Sequence, residues 1–434
     1  MFGTDGIRGF PYKGLFTKKS IMKIGYSYAK FLKKNDKSIL NIFLSKDTRK
    51  SSDFIESNLI RGINKAGLST ISLGILPTSS LSIFTDKYPY SAGIMITASH
   101  NSFRYNGIKF INSNGEKISS SAEKEIELIY NKKISQKKIA TQNIKYENAI
   151  SEYVDEVINK ISFDVPNLKY CVDVSNGASY LTTSRILRKL GHKFSIISNR
   201  PNGDNINRNC GVEYLDKIAK YIRKNKMDFG VAIDGDADRI VFINKNGITI
   251  EGDKVLTFIG LNLLKKSESL VTTIMTNSAL EEKLNNNKVR IIRTNVGDRN
   301  VYEAMKETDS MFGGENSGHY ILRRYLNTSD ANLTLLFILS LLQDNKLSFN
   351  DIDKIKLNTS VLKSFSVLKK KPIEKVKKIS VFKKEFKAKY KTKGFLNIRY
   401  SGTENKIRIL IQGLSKKDSE AEIIRFEEIV REIT

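Results

Sequence analysis

The chain repeats one pattern three times: short apolar runs rich in β-branched residues alternate with stretches of helical spacing and end in a polar loop with glycine. The first series contains "ILNIFLS", "TISLGIL" and "AGIMITA", with a helix-like segment from Asp53 to Ala66. Strands that alternate with helices predict a mixed or parallel sheet with helices packed on it. The pattern therefore predicts α/β domains.

Two further series follow, "KYCVDVSNG", "KFSIIS" and "DFGVAIDGD", then "SLVTTIMTN", "VRIIRTNVGD" and "SMFGGENSGH". Ligands of α/β sheets bind at the carboxyl ends of strands, so we expect the last loops of three similar domains to face one cleft. The tail from about Ser364 differs. It begins with a basic segment, continues with the predicted strands "FLNIRYSG" and "IRILIQG", and ends in a segment of helical spacing. We predict four domains: α/β domains at residues 1–150, 151–252 and 253–363, and a smaller α+β domain at 364–434.

Three aspartates, Asp234, Asp236 and Asp238, stand at alternate positions in "DGDADR", directly after the apolar run "FGVAI". Such carboxylates repel one another without a cation, and oxygen ligands of this kind suit Mg²⁺. A calcium EF-hand needs glycine and glutamate where this chain has Arg239 and Lys245. A solvated turn stays open as the alternative, because Asp and Gly favour turns.

The stretch "MITASHNSFRYNGIKF" places Ser99 after an apolar run and Lys109 ten residues later. A serine nucleophile needs a base or a metal, and a phosphoserine needs cations to hold its charge. A hydrolase triad is disfavoured, because "TASHN" lacks the G-x-S-x-G elbow and the chain has only three histidines. An ordinary serine in a polar turn is the remaining alternative.

Two later loops have the composition of ligand-binding loops. "GGENSGH", residues 313–319, joins backbone freedom to a carboxylate, an amide, a hydroxyl and an imidazole, a set that suits sugar hydroxyls. "RYSGTENKIR", residues 399–408, places two arginines around a Ser-Gly-Thr turn, as in a phosphate nest. A structural histidine and a basic turn without ligand are the respective alternatives. A Walker loop and a dinucleotide fingerprint are both absent from the sequence, which disfavours a kinase or dehydrogenase.

The formal charge of +27 indicates an anionic partner. The densest basic run, Lys369 to Lys393, alternates with apolar residues and therefore predicts a solvated basic face rather than a nucleic-acid site. A nucleic-acid-binding or scaffolding protein is kept as an alternative. The longest apolar run, Leu333 to Leu342, is shorter than the roughly 20 residues of a membrane span, and no secretion signal is seen. We expect a cytoplasmic protein that does not contact membranes.

Five motifs, in order, resemble the α-D-phosphohexomutase superfamily: "FGTDGIRG" at residues 2–9, "TASHN", "DGDADR", "GENSGH" and "RYSGTE". Within it, "DTRKS", "VDVSNGA", "NGDNIN" and "TNVGDR" are most similar to the bacterial phosphoglucosamine mutase family. The resemblance runs from residue 1 to about 412. It implies three related α/β domains and a fourth, TATA-binding-protein-like domain around a central cleft.

By this resemblance, Ser99 is the phosphorylated serine, and one Mg²⁺ is held by a phosphoserine oxygen with Asp234, Asp236 and Asp238. Lys109 approaches the phosphoryl group or the reacting hydroxyl as charge stabiliser or as acid and base. As a base it would need its pKa lowered by neighbouring cations. The remaining implied residues are His100, Arg8 and Arg239 for catalysis, Glu315, Asn316, Ser317, His319, Thr294, Gly297 and Asp298 for the sugar, and Arg399, Ser401, Gly402, Thr403 and Arg408 for the phosphate.

The implied reaction converts glucosamine 6-phosphate to glucosamine 1-phosphate through glucosamine 1,6-bisphosphate, and supplies the UDP-N-acetylglucosamine and peptidoglycan precursor pathway. The alternative is a phosphomannomutase or phosphoglucomutase of the same superfamily. Asn316 stands where glutamine is usual, and Asn405 stands where proline is usual. These departures bear on substrate preference rather than on the chemistry. The expected partner is a small phosphosugar, and the chain is expected to be a monomer or a homodimer.

Overall fold

The computed structural model describes residues 1–3, 5–133, 141–161, 167–401 and 404–433, which form four sheets in chain order. The predicted phosphate-binding residues Gly402 and Thr403 lie outside these ranges. Across the described ranges, no helix has the length and apolar character needed to cross a membrane. The predicted α/β organisation is confirmed, with mixed sheets in the first three domains.

Domain I is built on a six-stranded sheet. Its strands are β1 (Ile7–Gly9), β2 (Asn41–Lys46), β3 (Ser69–Ile75), β4 (Ser91–Ile96), β5 (Asn106–Ile111) and β6 (Asn143–Lys145), and its helices are α1 (Lys18–Asn35), α2 (Ser52–Ala66), α3 (Ser79–Lys87) and α4 (Ser120–Tyr130). The order is β1-β5-β4-β2-β3-β6, with β4, β2, β3 and β6 parallel and β5 antiparallel to both its neighbours. The predicted helix from Asp53 to Ala66 is α2.

Domain II contains a five-stranded sheet in the order β11-β10-β9-β7-β8. Its elements are α5 (Ala149–Lys160), β7 (Lys169–Asp173), α6 (Thr182–Lys189), β8 (Lys193–Ile197), α7 (Asp216–Asn225), β9 (Phe229–Ile233), β10 (Ile240–Asn244) and β11 (Thr249–Ile250). Strands β7, β8 and β9 are parallel, whereas β10 returns antiparallel to β9 with Ile240 opposite Ile233. The aspartate loop therefore closes a hairpin.

Domain III has the sheet order β13-β12-β14-β15. Its elements are α8 (Gly252–Leu263), β12 (Ser269–Thr273), α9 (Ala279–Asn285), β13 (Arg290–Thr294), α10 (Asp298–Glu307), β14 (Phe312–Gly314), β15 (Tyr320–Leu322), α11 (Ala331–Asp344) and α12 (Phe349–Asp353). The long apolar run forms α11, which is buried along most of its length. Strands β14 and β15 are an antiparallel hairpin, with Gly314 opposite Tyr320.

Domain IV is a three-stranded antiparallel sheet, β16-β18-β17, packed with two helices. Its elements are β16 (Ser360–Ser366), α13 (Lys377–Tyr390), β17 (Phe395–Tyr400), β18 (Lys406–Gln412) and α14 (Lys416–Ile433). Ile379, Phe382 and Phe386 of α13 are buried, whereas its lysines are exposed, so the basic run is a solvated face.

The predicted domain boundaries fall inside regular elements. The boundary at 363/364 cuts β16, whose first residue is Ser360 and whose whole length pairs with β18. Those at 150/151 and 252/253 fall in the first turns of α5 and α8. The predicted boundary at Ser364 rests on the change in composition. The strand pairing of domain IV begins four residues earlier, at Ser360.

Domains I to III share one structural feature. In each, a parallel strand is followed by an antiparallel strand, and the loop between them carries a predicted motif. The pairs are β4 with β5, β9 with β10, and β14 with β15. A hairpin reverses the chain within a few residues and thereby leaves its polar loop at one edge of the sheet. The fold thus presents Ser99, the three aspartates and "GENSGH" on equivalent loops.

Candidate active site

The three hairpin loops meet. The Ser99 hydroxyl donates a 2.7 Å hydrogen bond to Oδ2 of Asp234. On the other side of the aspartate loop, Nε2 of His319 lies 3.0 Å from Oδ1 of Asp238. The serine loop, the aspartate loop and the "GENSGH" loop are therefore in direct side-chain contact, as the sequence predicts.

Ser99 is held in an unusual backbone conformation. Its φ is +51°, in the left-handed region that non-glycine residues seldom adopt. Its backbone N–H donates to Oγ1 of Thr97 at 2.8 Å, and its carbonyl accepts from Arg49 at 2.9 Å and from Asn207 at 2.7 Å. Strain of this kind, on the order of 1–3 kcal/mol, persists only where the surroundings impose it. The surroundings here fix the direction of the serine side chain.

Gly235 allows the serine and aspartate loops to approach. A Cβ atom on this residue would lie 2.5 Å from the carbonyl oxygen of Ser99. Any side chain would therefore push the two loops apart. The glycine between Asp234 and Asp236 therefore allows Ser99 and the carboxylates to lie close together.

The three aspartates form a buried cluster suited to a hard divalent cation. Each offers a carboxylate oxygen, and these oxygens lie within 4.8 Å of one another. Oδ1 of Asp236 is buried and has no hydrogen-bond partner. Burial, followed by the charges of Asp238 and Asp236, raises the pKa of Asp234 well above its usual range. An all-oxygen set that repels itself and contains an unpartnered oxygen fits Mg²⁺.

Lys109 is buried against these carboxylates. Its Nζ lies 2.7 Å from Asp236, 2.9 Å from Asp238 and 2.9 Å from Asp5. Burial lowers the pKa of Lys109, and the positive charge of Arg8 lowers it further. The negative charges of Asp236, Asp238 and Asp5 outweigh both effects, so the pKa is raised well above the ordinary value. The lowering that a lysine base requires is not found. This arrangement favours a permanent cation that stabilises negative charge.

His100 is the nearest imidazole to the serine, with Nδ1 3.3 Å from the Ser99 hydroxyl oxygen. Burial, assisted by Arg239 and Arg8, lowers the pKa of His100 to about 4. The ring is therefore neutral at pH 7 and acts as a hydrogen-bonding group rather than a cation. Arg8 donates to the side chain of Asn101 at 3.3 Å, and the backbone N–H of Arg239 donates to Asp234 at 3.1 Å.

A cleft of about 580 Å³ opens beside this cluster, within the range of small-molecule sites. Glu315 lies in its wall, where it accepts a 2.9 Å hydrogen bond from the backbone N–H of Gly297 and contacts Nδ1 of His319 at 3.2 Å. Although burial opposes it, Asp238 and Glu315 raise the pKa of His319 to about 10. Cations and predicted sugar-binding groups share this cleft, whose lining includes Arg8, His100, Arg239, Gly297, Ser317 and His319.

Family models for phosphoglucomutase/phosphomannomutase match all four domains: domain I at residues 1–137, domain II at 151–247, domain III at 251–356 and the C-terminal domain at 362–429. The chain is also 37% identical to the phosphoglucosamine mutase of Ruminiclostridium cellulolyticum, over 100% of this chain and 98% of that relative. The chain belongs to the phosphohexomutase superfamily. Within it, the chain groups with the phosphoglucosamine mutases and is a phosphomutase, an isomerase.

Solved structures agree on the fold. A phosphoglucomutase/phosphomannomutase family protein from Burkholderia thailandensis superposes with a TM-score of 0.84 at 19% identity, covering 100% of this chain and 97% of that one. The Aspergillus fumigatus N-acetylphosphoglucosamine mutase, solved with GlcNAc-6P and magnesium, gives 0.66 at 15% identity, covering 100% and 95%. At these identities the likeness concerns the fold alone. It confirms the four-domain phosphohexomutase architecture.

Some predicted sugar-binding residues of this phosphohexomutase are engaged elsewhere. The hydroxyl of Thr294 donates to backbone carbonyls. Asp298 lines the cleft, but its carboxylate contacts Lys117 at 2.5 Å. The Asn316 side chain is exposed and lies 3.5 Å from Asp253. Their roles toward a sugar therefore remain predictions.

The predicted phosphate loop lies beside domain III. Arg399 and Arg408 are opposite one another on β17 and β18. A guanidinium nitrogen of Arg399 is 3.7 Å from the sulfur of Met275, while Arg408 contacts Glu404 at 3.1 Å. Burial lowers the pKa of Arg399, and so does the neighbouring Arg408, because two adjacent positive charges repel each other. Neither arginine lines the 580 Å³ cleft in the described part of the phosphohexomutase, so phosphate binding by this loop stays a prediction.

Sequence reasoning missed several residues that build the site. Arg49 donates to the carbonyls of Ser99, Asn101, Ser102 and Tyr105, and to the carboxylate of Asp47. This arginine therefore holds the whole serine loop. It lies in "DTRKS", a motif for which the family resemblance predicts no role. Asp5 and Lys117 were also missed.

Proposed function

We propose that this phosphohexomutase interconverts glucosamine 6-phosphate and glucosamine 1-phosphate, with Ser99 as the residue that carries the phosphoryl group. The observation that carries the proposal is the contact between the Ser99 hydroxyl and Asp234 inside a cluster of carboxylates and cations at the wall of a cleft. The choice of sugar is supported by the full-length similarity to a phosphoglucosamine mutase.

Asp234, Asp236 and Asp238 would hold one Mg²⁺ together with an oxygen of phosphorylated Ser99. A bound Mg²⁺ supplies positive charge that stabilises the phosphoryl oxygens. The fit rests on the oxygen-only donor set and on the unpartnered carboxylate oxygen of Asp236.

In the first half of the reaction, a sugar hydroxyl oxygen forms a bond to phosphorus while the bond from phosphorus to Ser99 Oγ breaks. The product is glucosamine 1,6-bisphosphate and a free serine. In the second half, Ser99 Oγ recovers a phosphoryl group from the other end of the bisphosphate. Each half moves one proton between the sugar hydroxyl and Ser99 Oγ, so a protonated group beside Ser99 assists both directions.

Lys109 and His100 have complementary positions for this transfer. Charge spreads over the three equatorial oxygens of the phosphoryl group as it moves, so a fixed cation lowers the barrier. Lys109 is such a cation, because its carboxylate neighbours keep it protonated. The neutral His100 ring offers a hydrogen-bond partner 3.3 Å from Ser99 Oγ. Arg8 and Arg239 add positive charge in the cleft wall.

The nonreacting phosphate would be held by Arg399, Ser401, Gly402, Thr403 and Arg408, and the sugar hydroxyls by Glu315, Ser317 and His319. One phosphate site serves both halves of the reaction if the bisphosphate turns over between them. Because Arg399, Ser401 and Arg408, the described members of this set, do not line the cleft, this role requires domain IV to approach domains I to III.

A phosphomannomutase or phosphoglucomutase is the second candidate, and Asn316 is the residue that favours it, since glutamine is usual there and its side chain reaches one methylene further. The test compares kcat/KM for glucosamine 6-phosphate, glucose 6-phosphate and mannose 6-phosphate, each primed with its own 1,6-bisphosphate. We expect glucosamine 6-phosphate to be preferred. A preference for either other sugar would reassign the substrate while leaving the chemistry intact.

The wider placement of the enzyme rests on the same proposal. Its product would feed the synthesis of UDP-N-acetylglucosamine and peptidoglycan precursors in the cytoplasm. A monomer or homodimer is the predicted state. Nucleic-acid binding stays the less favoured role for the basic surface.

A further inference from the structure

Lys117 lies at the junction of domains I and III, between two carboxylates from distant parts of the chain. Its Nζ is 2.9 Å from Oδ1 of Asp5 and 2.5 Å from Oδ2 of Asp298. Only 11% of its side chain is exposed. Although burial opposes the charge, Asp298 and Asp5 raise the pKa of Lys117, so it is a permanent cation.

Asp5 shares its carboxylate between two lysines. Oδ1 contacts Lys117, whereas Oδ2 lies 2.9 Å from Nζ of Lys109. Burial alone would raise the pKa of Asp5, but Lys109 and Lys117 lower it far more. Lys117 therefore fixes the orientation of the carboxylate that contacts Lys109 in the phosphoryl-transfer cluster.

Asp298 connects the same lysine to the sugar side of the cleft. It is the first residue of α10, and the preceding Gly297 donates its backbone N–H to Glu315. Direct contacts therefore lead from Glu315, through the 297–298 backbone and Lys117, to Asp5 and Lys109. The path crosses from domain III to domain I at Lys117.

We propose that Lys117 is a positioning residue for phosphoryl transfer: it holds Asp5 against Lys109 and holds the 297–298 loop against domain I. The inference deepens the proposed function and rests on it for the identity of the reaction. Without Lys117, Asp5 and Asp298 would face each other as two carboxylates with no cation between them. Their repulsion would shift Asp5 from its present position beside Lys109 and move the 297–298 loop away from domain I.

The same domain interface contains a matched control. Lys306 of α10 contacts Glu116 of domain I at 2.8 Å but contacts neither Asp5 nor Lys109. A purely structural role would make Lys117→Met and Lys306→Met similar, since each removes one cation from this interface. If Lys117 is a positioning residue, Lys117→Met should transfer the phosphoryl group more slowly than Lys306→Met.

The experiment measures kcat, KM and the single-turnover rate of transfer from the phosphorylated full-length enzyme to the hexose phosphate. We expect Lys117→Met to lower kcat and the single-turnover rate by roughly 10- to 100-fold, the scale of a displaced catalytic group. Lys306→Met should stay within about twofold of wild type by the same reasoning. Lys117→Arg, which keeps the charge, should recover much of the rate.

A double-mutant cycle with Asp5→Asn tests the route. If Lys117 acts through Asp5, the double variant loses little more than the worse single variant, because both remove one linkage. Equal rates for Lys117→Met and Lys306→Met, or effects of Lys117→Met and Asp5→Asn that multiply, would overturn the inference. Should Lys117→Met not fold, Lys117→Gln is judged by the same criteria.

A wild type inactive on glucosamine 6-phosphate would instead contradict the proposed function, and the Lys117 comparison would use whichever hexose phosphate it converts.

Discussion

The Ser99 hydroxyl and the Asp234 carboxylate are joined by a 2.7 Å hydrogen bond although 135 positions separate them in the chain. One closes the β4–β5 hairpin of domain I and the other follows β9 of domain II. Domain packing therefore brings these two residues together.

Replacing Ser99 by alanine should abolish mutase activity, with a loss of at least about 10³-fold, because the chain would lack the oxygen that accepts the phosphoryl group. A coupled assay for glucosamine 1-phosphate measures the rate. Intact-mass measurement should show one phosphate on primed wild type and none on the variant. Full activity in Ser99→Ala would refute the mechanism.

Replacing Asp236 by asparagine should weaken Mg²⁺ binding by at least about tenfold, because a neutral amide replaces a charged ligand in an all-carboxylate set. Titration calorimetry with Mg²⁺ measures the affinity independently of turnover. Asp309→Asn is the control, since Asp309 is 82% exposed and pairs with Arg323. Equal Mg²⁺ affinity in the two variants would place the metal elsewhere.

Replacing Arg49 by methionine should destabilise the fold by about 3–5 kcal/mol, because the buried Asp47 carboxyl would lose its charged partner. Urea denaturation measures the change in the free energy of unfolding. Arg104, an exposed arginine near the same loop, supplies the control variant Arg104→Met, which should change stability by less than about 0.5 kcal/mol. Similar losses in both variants would show that Arg49 does not hold the loop.

His192 should make part of the stability depend on pH. Burial lowers the pKa of His192 to about 4, below the unfolded value near 6.5, and its ring packs against Tyr170. The unfolded state therefore binds the extra proton first, so the stabilisation is complete above pH 6.5 and falls as the pH drops toward 4. Denaturation at pH 7 and pH 5 should show a smaller loss in His192→Gln than in wild type. An unchanged pH dependence would contradict the prediction.

The sequence predicts those parts of the site that depend on local pattern. The three loops follow apolar strands, and their convergence follows from the general rule that α/β domains bind ligands at the strand ends. The aspartate cluster was predicted from residue type and spacing alone. Family resemblance added roles for Lys109, His100 and the phosphate loop.

What sequence reasoning missed depends on contacts between domains. Asp5 and Lys117 are 112 positions apart, and Lys117 and Asp298 are 181 apart. No local pattern reveals that these charges meet. The pKa of Lys109 shows the same limit. The sequence suggests arginines near Lys109, which would lower its pKa, but it does not reveal the three carboxylates that surround its Nζ and raise the pKa.

The division of the site among hairpins on separate sheets has a consequence for synthesis on the ribosome. A nascent chain that has completed the first sheet already contains Ser99, whereas Asp234, Asp236 and Asp238 are translated later. Until then the Ser99 hydroxyl lacks its carboxylate partner from domain II. We therefore expect the nascent chain to be unable to transfer a phosphoryl group until its second sheet has packed against the first.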